Sequence, residues 1–113
     1  MNKKPAVRIL LGGASSLGPG KVALLEEIGR HGSISAAARA MEMSYRRAWL
    51  LVESMNNSFT QSLVTTATGG KRGGGAELTE FGREVLRRYR DMEQKAHRAI
   101  EDELDSFAEL MRG

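Results

Sequence analysis

Two adjacent arginines, Arg46 and Arg47, follow Ser44 and Tyr45 at the start of a predicted helix. An arginine can form paired hydrogen bonds with guanine or clamp a phosphate, and the two hydroxyls can donate to phosphate oxygens. Such side chains in the first turn of a helix are typical of a helix that enters the major groove of DNA. These four residues therefore predict binding to double-stranded DNA.

The apolar positions of the same helix indicate which of its sides faces the protein core. With ~100° between successive residues, the helix has one apolar side. That side is formed by Ala48, Val52, Met55 and Phe59, with Leu51 beside them. Arg46 points away from the apolar side and Arg47 lies at its margin, so both are expected to face solvent or DNA.

Three further side chains of this helix have open or contested roles. Leu50 points outward, where it would contact either a thymine methyl group or a partner chain. Trp49 is the only tryptophan, and we expect it to pack against the protein because indole mainly serves as buried area. For Tyr45, a phosphate contact and a packing role are equally expected.

The helix that begins after Ser44, called the reading helix below, is predicted to be the second helix of a helix-turn-helix. A first helix is expected from Lys21 to His31, followed by a stop at Gly32. Residues 33–35 offer an N-cap to an alanine-rich run whose small side chains permit close helix crossing. Met43 and Ser44 form the turn into the reading helix, which is expected to extend through Met55 and to loosen at residues 56–58. The helix-turn-helix thus spans about residues 33–57.

A basic hairpin follows it. Residues 63–68 and 76–78 have strand propensity, and the intervening glycine-rich loop carries Lys71 and Arg72. Glycines let the backbone approach a phosphate closely, and the two cations add a sequence-independent attraction. The hairpin at about residues 63–78 is interpreted as a wing, with a plain flexible tip as the alternative. One further strand is predicted over residues 6–11.

A long helix capped by Thr79 is predicted over about residues 80–111. Its apolar positions recur on average every ~3.7 residues, which suits a nearly straight helix packing on a neighbour. The last of them have no later segment to cover them: Ile100, Leu104, Phe107 and Met111. Covering by a second copy predicts a homodimer, and packing back on the first helix is the alternative.

Composition and charge agree with a small DNA-binding domain. The chain has 113 residues, 41% of them apolar and 27% charged. Its net charge of +3 is uneven, since residues 91–113 alone carry −4, which leaves a basic body with an acidic tail. There is no cysteine and no apolar run near the ~20 residues of a membrane span. We expect a cytoplasmic protein.

The sequence gives little support for a nucleotide-binding, metal-binding or catalytic site. The loop before the first helix fails as a phosphate-binding P-loop, because Ser15 replaces its first glycine and Val22 its metal-binding hydroxyl. His31 and His97 have no partners at ligand spacing, and no nucleophile, base and acid form a set. The sequence predicts no enzyme, no cofactor and no metal site.

Several segments together resemble a known family. They are residues 32–38, 43–49, 53–56, 67–76 and 78–82. They are similar to the N-terminal DNA-binding domain of ModE-type molybdate-responsive transcription regulators, which is related to the LysR-type winged helix-turn-helix. The glycine-rich stretch from Ala67 to Ala76 is the most specific part. The resemblance implies that residues 44–47, Lys71 and Arg72 face DNA and that the protein is a homodimer.

The sequence also departs from that family. Full-length members continue into a separate molybdate-binding domain, whereas this sequence stops at Gly113. We therefore expect no direct molybdate binding by this polypeptide.

The predicted fold is a single domain, mainly α with a small β-sheet: a winged helix-turn-helix with a long C-terminal helix. The expected function is a dimeric, sequence-specific transcription regulator that binds double-stranded DNA. Two alternatives share this scaffold, namely a protein-interaction adaptor and a non-specific architectural DNA-binding protein.

Overall fold

The computed structural model describes residues 9–10, 17–67 and 75–112. The described part is mostly helical with one small antiparallel sheet, which confirms the predicted fold class. The elements are α1 (Pro19–His31), α2 (Ile34–Ala40), α3 (Tyr45–Ser58), β1 (Val64–Ala67), β2 (Gly75–Leu78), α4 (Glu80–Ala99) and α5 (Glu101–Ala108). The predicted strand at residues 6–11 falls largely outside the described residues.

Local capping signals set the boundaries of the first helices. Pro19 opens α1, where its fixed φ suits the first helical position. Gly32 ends α1 with a φ of 74°, and its N–H donates to the Ile28 carbonyl over 2.8 Å. The Ser33 hydroxyl oxygen accepts from the Ala36 N–H at 3.0 Å and so caps α2.

The core lies where α1, α2 and α3 cross. Each helix contributes apolar side chains that are buried. They include Val22, Leu24, Leu25 and Ile28 of α1, Ala37 and Ala38 of α2, and Ala48, Val52 and Met55 of α3. The predicted apolar side of α3 is thus confirmed, and the small side chains of α2 lie at the crossing as expected. The predicted loosening at residues 56–58 is wrong, because α3 continues to Ser58.

The hairpin is held to the helices at its base. β1 pairs with β2 from Val64 opposite Leu78 to Ala67 opposite Gly75. Beyond the sheet, the Ala76 N–H donates to the Gly32 carbonyl at 2.9 Å, and the Thr79 N–H donates to the Leu63 carbonyl at 2.9 Å. The hairpin therefore starts from a fixed position next to the turn between α1 and α2. Residues 68–74, which connect its strands, lie outside the described residues.

Helix α4 packs on α1 and β2 through its first half. Thr79 caps it as predicted, accepting from the Gly82 N–H at 2.8 Å. Gly82 lies so close to the backbone of Leu63 that an added Cβ would come within 2.2 Å of the Leu63 oxygen. Further along, Tyr89 is fully buried and donates its hydroxyl hydrogen to the Ile9 carbonyl. Burial, more than the nearby Glu93 carboxylate, raises the pKa of Tyr89.

The long C-terminal helix is not continuous, which corrects the prediction of one helix over residues 80–111. Ile100 leaves helical geometry with φ −122° and ψ 22°, and α5 begins after it. Glu101, Asp102 and Glu103 occupy the first turn of α5, where negative charge favours a helix N-terminus. His97 and Arg98 occupy the last turn of α4, where positive charge favours a C-terminus. Charge therefore supports two helices where the apolar spacing indicated one.

The four residues predicted to meet a second copy divide into two groups. Leu104 is buried at 9% exposure within one chain, so a second copy is not needed to cover it. Ile100, Phe107 and Met111 remain exposed. None of the helices in the described ranges is both long and apolar enough to cross a membrane.

Candidate nucleic-acid interface

The first turn of α3 places the predicted DNA-contacting side chains on the surface. Ser44 caps the helix, its hydroxyl oxygen accepting from the Arg47 N–H at 3.0 Å. The residues from Ser44 to Arg47 are all exposed, while Ala48 directly after them is fully buried. The sequence thus anchors one side of α3 and leaves its opening turn available to a ligand.

The turn between α2 and α3 sets the direction of α3. Glu42 adopts a φ of 56°, which a residue with a side chain rarely takes up. The following N–H, that of Met43, donates to the Ala38 carbonyl at 3.0 Å and closes the turn. The sequence indicates the turn but not its strained residue, because a glutamate gives no signal for positive φ.

The two arginines of α3 differ from those of α4 in their partners. Arg87 and Arg88 both bind Glu84 within the same helix, at 2.5 and 2.6 Å. These bonds, chiefly that from Arg87, hold the pKa of Glu84 below its ordinary value. In the described ranges, Arg46 and Arg47 form no ion pair. Their charge is available to an external anion such as a DNA phosphate.

Trp49 is not packed inside, contrary to the sequence-based expectation. Its side chain is 37% exposed, and its indole N–H donates to the hydroxyl oxygen of Tyr45, one helical turn earlier. The two rings meet edge to face with centroids 6.5 Å apart. Trp49 lies beside the apolar side of α3, at the rim of the core. Its indole N–H therefore bonds to a residue of its own helix instead of a buried group.

A shallow depression of about 310 Å³ covers the outward side of α3. It is lined by Tyr45, Arg46, Trp49, Leu50 and Glu53. Leu50 is 53% exposed there, as the helical wheel predicts. The surface next to the arginines therefore combines one cation with apolar and aromatic groups, a mixture suited to base edges and thymine methyl groups.

The wing residues divide between described and undescribed positions. Thr65 and Thr66 are exposed on β1, and the base of the hairpin joins the helix-turn-helix at Gly32. Lys71 and Arg72, the two cations predicted to contact DNA, lie outside the described residues.

Several supports of this surface were not predicted. Lys21 of α1 donates to the Ser54 hydroxyl of α3 at 3.0 Å. Asn56, near the end of α3, binds the backbone at the start of β1. Each joins residues brought together only by folding, so a single sequence carries no local signal for them.

Comparison with known proteins agrees with this geometry. The model of the family described as bacterial regulatory helix-turn-helix protein, LysR family, matches residues 20–83, which include α1, α2, α3 and the hairpin. The chain belongs to that family. The matched residues contain all of α2, α3 and both strands of the hairpin.

The relatives confirm the resemblance to ModE regulators. The molybdenum-pterin-binding protein MopB of Rhodobacter capsulatus is 44% identical over 101 residues, covering 86% of this chain and 37% of that protein. The transcriptional regulator ModE of Yersinia pestis is 40% identical over 95 residues, covering 79% and 36%. The DNA-binding transcriptional dual regulator ModE of Escherichia coli K12 is 39% identical over 88 residues, covering 75% and 34%. The chain thus spans about a third of the length of the relatives it matches.

Solved structures share the fold at low sequence identity. Full-length LysG from Corynebacterium glutamicum superposes with a TM-score of 0.57 at 22% identity, covering 80% of this chain and 30% of that one. ArgP from Mycobacterium tuberculosis gives 0.54 at 20% identity, covering 74% and 30%. These likenesses support the winged helix-turn-helix architecture.

Proposed function

We propose that this domain is a sequence-specific, double-stranded DNA-binding transcription regulator that inserts the start of α3 into the major groove. One observation carries the proposal. Arg46 and Arg47 are exposed and without an ion pair in the described ranges, while the opposite side of the same helix is buried. A helix held in this way presents cations to DNA in a fixed orientation. Action on DNA implies a cytoplasmic location in a bacterium.

The individual roles follow from position and chemistry. Arg46 extends from the outward side and forms paired hydrogen bonds with a guanine. Arg47, at the margin of the core side, clamps a phosphate together with the hydroxyls of Ser44 and Tyr45. Lys71 and Arg72 of the hairpin contact an adjacent groove or the backbone. The described interface needs no metal or cofactor in any of these roles.

The proposed assembly is a homodimer formed through α4 and α5. Ile100, Phe107 and Met111 are exposed apolar side chains along this region, and Leu104 fixes α5 by its own burial. Two-fold pairing would set two α3 helices on half-sites ~34 Å apart. We further propose that residues 1–113 bind DNA without molybdate, since the proposed contacts are made by protein side chains alone.

DNA binding by the purified chain tests the function. Fluorescence anisotropy would compare DNA from upstream of its own gene with random DNA across a salt series. We expect affinity for the upstream DNA to exceed that for random DNA by ~10³ or more. Equal, steeply salt-dependent affinities would instead support an architectural protein, and added molybdate should change neither affinity.

A matched pair of arginine variants locates the interface. Arg46→Ala should weaken binding to the specific DNA by about tenfold or more, because one bidentate base contact contributes ~1–3 kcal/mol. Arg87→Ala removes the same charge from α4, where Glu84 already binds it, and should have little effect. Full binding by the Arg46→Ala, Arg47→Ala double variant would contradict the proposed interface and favour the adaptor.

Sedimentation equilibrium tests the dimer separately. Phe107→Ser should shift the chain towards monomer. The control is Leu110→Ser, which changes an 80% exposed residue outside the predicted apolar stripe. A monomeric wild-type chain at micromolar concentration, or equal effects of the two variants, would contradict dimerisation through this face.

A further inference from the structure

The hydrogen bond between Trp49 and Tyr45 has a direction, and that direction assigns roles to both residues. The indole N–H is a donor only, so the Tyr45 oxygen is its acceptor. The Tyr45 hydroxyl hydrogen is consequently left to donate elsewhere. In the described ranges no acceptor receives it, and the ring is 53% exposed beside Arg46.

We propose that Trp49 is a positioning residue that holds the Tyr45 hydroxyl so that it donates a hydrogen bond to a DNA phosphate. This inference rests on the proposed function, which already includes the Tyr45 contact, and adds the role of Trp49 in positioning it. Because the Trp49 indole N–H is already engaged with Tyr45, that N–H is not available to donate to DNA, and the effect of Trp49 on the phosphate contact passes through Tyr45.

Two physical effects make the tyrosine a better donor in this arrangement. An exposed tyrosine ring would otherwise sample several rotamers, and the ordering cost would then reduce affinity. The edge-to-face contact and the hydrogen bond hold the ring before DNA arrives. In addition, an oxygen that accepts a hydrogen bond is polarised and donates its own hydrogen more strongly.

The surroundings favour a phosphate as the acceptor. The exposed arginines in the same turn attract an anion, and Ser44 supplies a second hydroxyl within that turn. Hydrogen bonds to phosphate fix the register of a protein on DNA without reading its sequence. The Tyr45 contact is therefore expected on specific and random DNA alike.

A double-variant cycle tests the inference with conservative changes. Tyr45→Phe and Trp49→Phe each keep an aromatic ring and remove only one hydrogen-bonding group. The probe is a fluorescein-labelled, mixed-sequence duplex of about 30 base pairs at low salt, where non-specific binding is measurable. Thermal melting of each variant confirms that the fold is kept.

Tyr45→Phe should weaken binding by about tenfold, the effect of losing a hydrogen bond to a charged group. Trp49→Phe should weaken it by about threefold, because the hydroxyl remains but its side chain must then be ordered on binding. The double variant should bind no worse than Tyr45→Phe alone. Full additivity, or wild-type affinity of Tyr45→Phe, would overturn the inference.

A spectroscopic readout separates positioning from a merely structural role. As the only tryptophan, Trp49 gives one indole N–H resonance in a ¹⁵N-labelled sample. This resonance should move upfield in Tyr45→Phe, where its acceptor is gone, and should respond to added DNA in the wild type. An indole resonance unaffected by Tyr45→Phe would contradict the hydrogen bond. Absence of DNA binding by the wild type would instead defeat the proposed function, so the two failures are distinguishable.

Discussion

Arg90 of α4 binds the carboxylate of Glu26 on α1 with two hydrogen bonds, from Nε at 2.9 Å and from Nη2 at 2.6 Å. Its remaining nitrogen, Nη1, donates to Glu93 at 2.6 Å. The pair joins residues 64 positions apart and ties α4 to α1. The bond from Arg90 outweighs partial burial and lowers the pKa of Glu26 below its ordinary 4.5.

The Glu26–Arg90 pair makes the stability of the fold depend on pH. Because the folded pKa of Glu26 is lowered, its stabilising contribution is complete above pH 4.5 and disappears as the pH falls through the folded pKa. Glu26→Gln should cost about 0.5–1 kcal/mol at pH 7, since the pair is partly exposed to solvent. Urea denaturation at pH 7 and pH 3 measures the difference, which should be smaller at the lower pH. A difference independent of pH would contradict the assignment.

The close approach of Gly82 to Leu63 predicts that alanine is not tolerated there. A Cβ at position 82 would lie 2.2 Å from the Leu63 oxygen, so backbone would have to move. We expect Gly82→Ala to destabilise the domain by about 2–3 kcal/mol, measured by thermal melting. Gly20→Ala in α1 is the matched control, because nothing lies within 4 Å of its Cβ. That change should be neutral or slightly stabilising; an equal loss at both sites would refute the steric explanation.

Asn56 is predicted to hold the wing to α3. Its Oδ1 accepts from the N–H groups of Leu63 at 2.8 Å and Val64 at 3.2 Å, and its Nδ2 donates to the Val64 carbonyl at 3.2 Å. Asn56→Ala leaves these buried backbone groups unpaired and should cost about 2–3 kcal/mol in urea denaturation. Asn57→Ala, at the exposed neighbouring position, should cost much less. Hydrogen exchange at Leu63 and Val64 should accelerate only in Asn56→Ala.

The positive φ of Glu42 predicts a stabilising substitution. A φ of 56° strains any residue with a Cβ, whereas glycine adopts it freely. Glu42→Gly should stabilise the domain by about 0.5–1 kcal/mol, after allowing for the greater freedom of glycine in the unfolded chain. Glu53→Gly in helix α3 should instead destabilise it by ~1 kcal/mol. Destabilisation by Glu42→Gly would show that the turn is not strained.

The sequence predicted the features that rest on neighbouring residues. The caps Ser44 and Thr79 are confirmed, and Ser33 is the residue among positions 33–35 that caps α2; each accepts from a backbone N–H three residues later. The buried side of α3 is confirmed because helical periodicity places its apolar residues together. The family and the fold class follow from the same local patterns.

The rest depends on packing that a single sequence does not encode locally. Apolar residues keep their spacing across Ile100, so periodicity did not reveal that the helix ends there. Trp49 lies at the rim of the core, where the helical wheel alone does not decide between burial and exposure. The pairing of Arg90 with Glu26 requires α4 to be docked on α1 first. No local sequence pattern predicts an ion pair between residues so far apart in the chain.

Helix α4 also has a mechanical consequence. It has 20 residues and is therefore about 30 Å long, and Gly82, Tyr89 and Arg90 hold it from its start to its midpoint. Its second half extends about 14 Å beyond Arg90, so a tilt of about 10° about that point would move the far end by about 2 Å. Through Glu26 and Lys21 on α1, the held part is connected to Ser54 on α3. A contact made near Ala99 is therefore linked to α3 through side chains of α1.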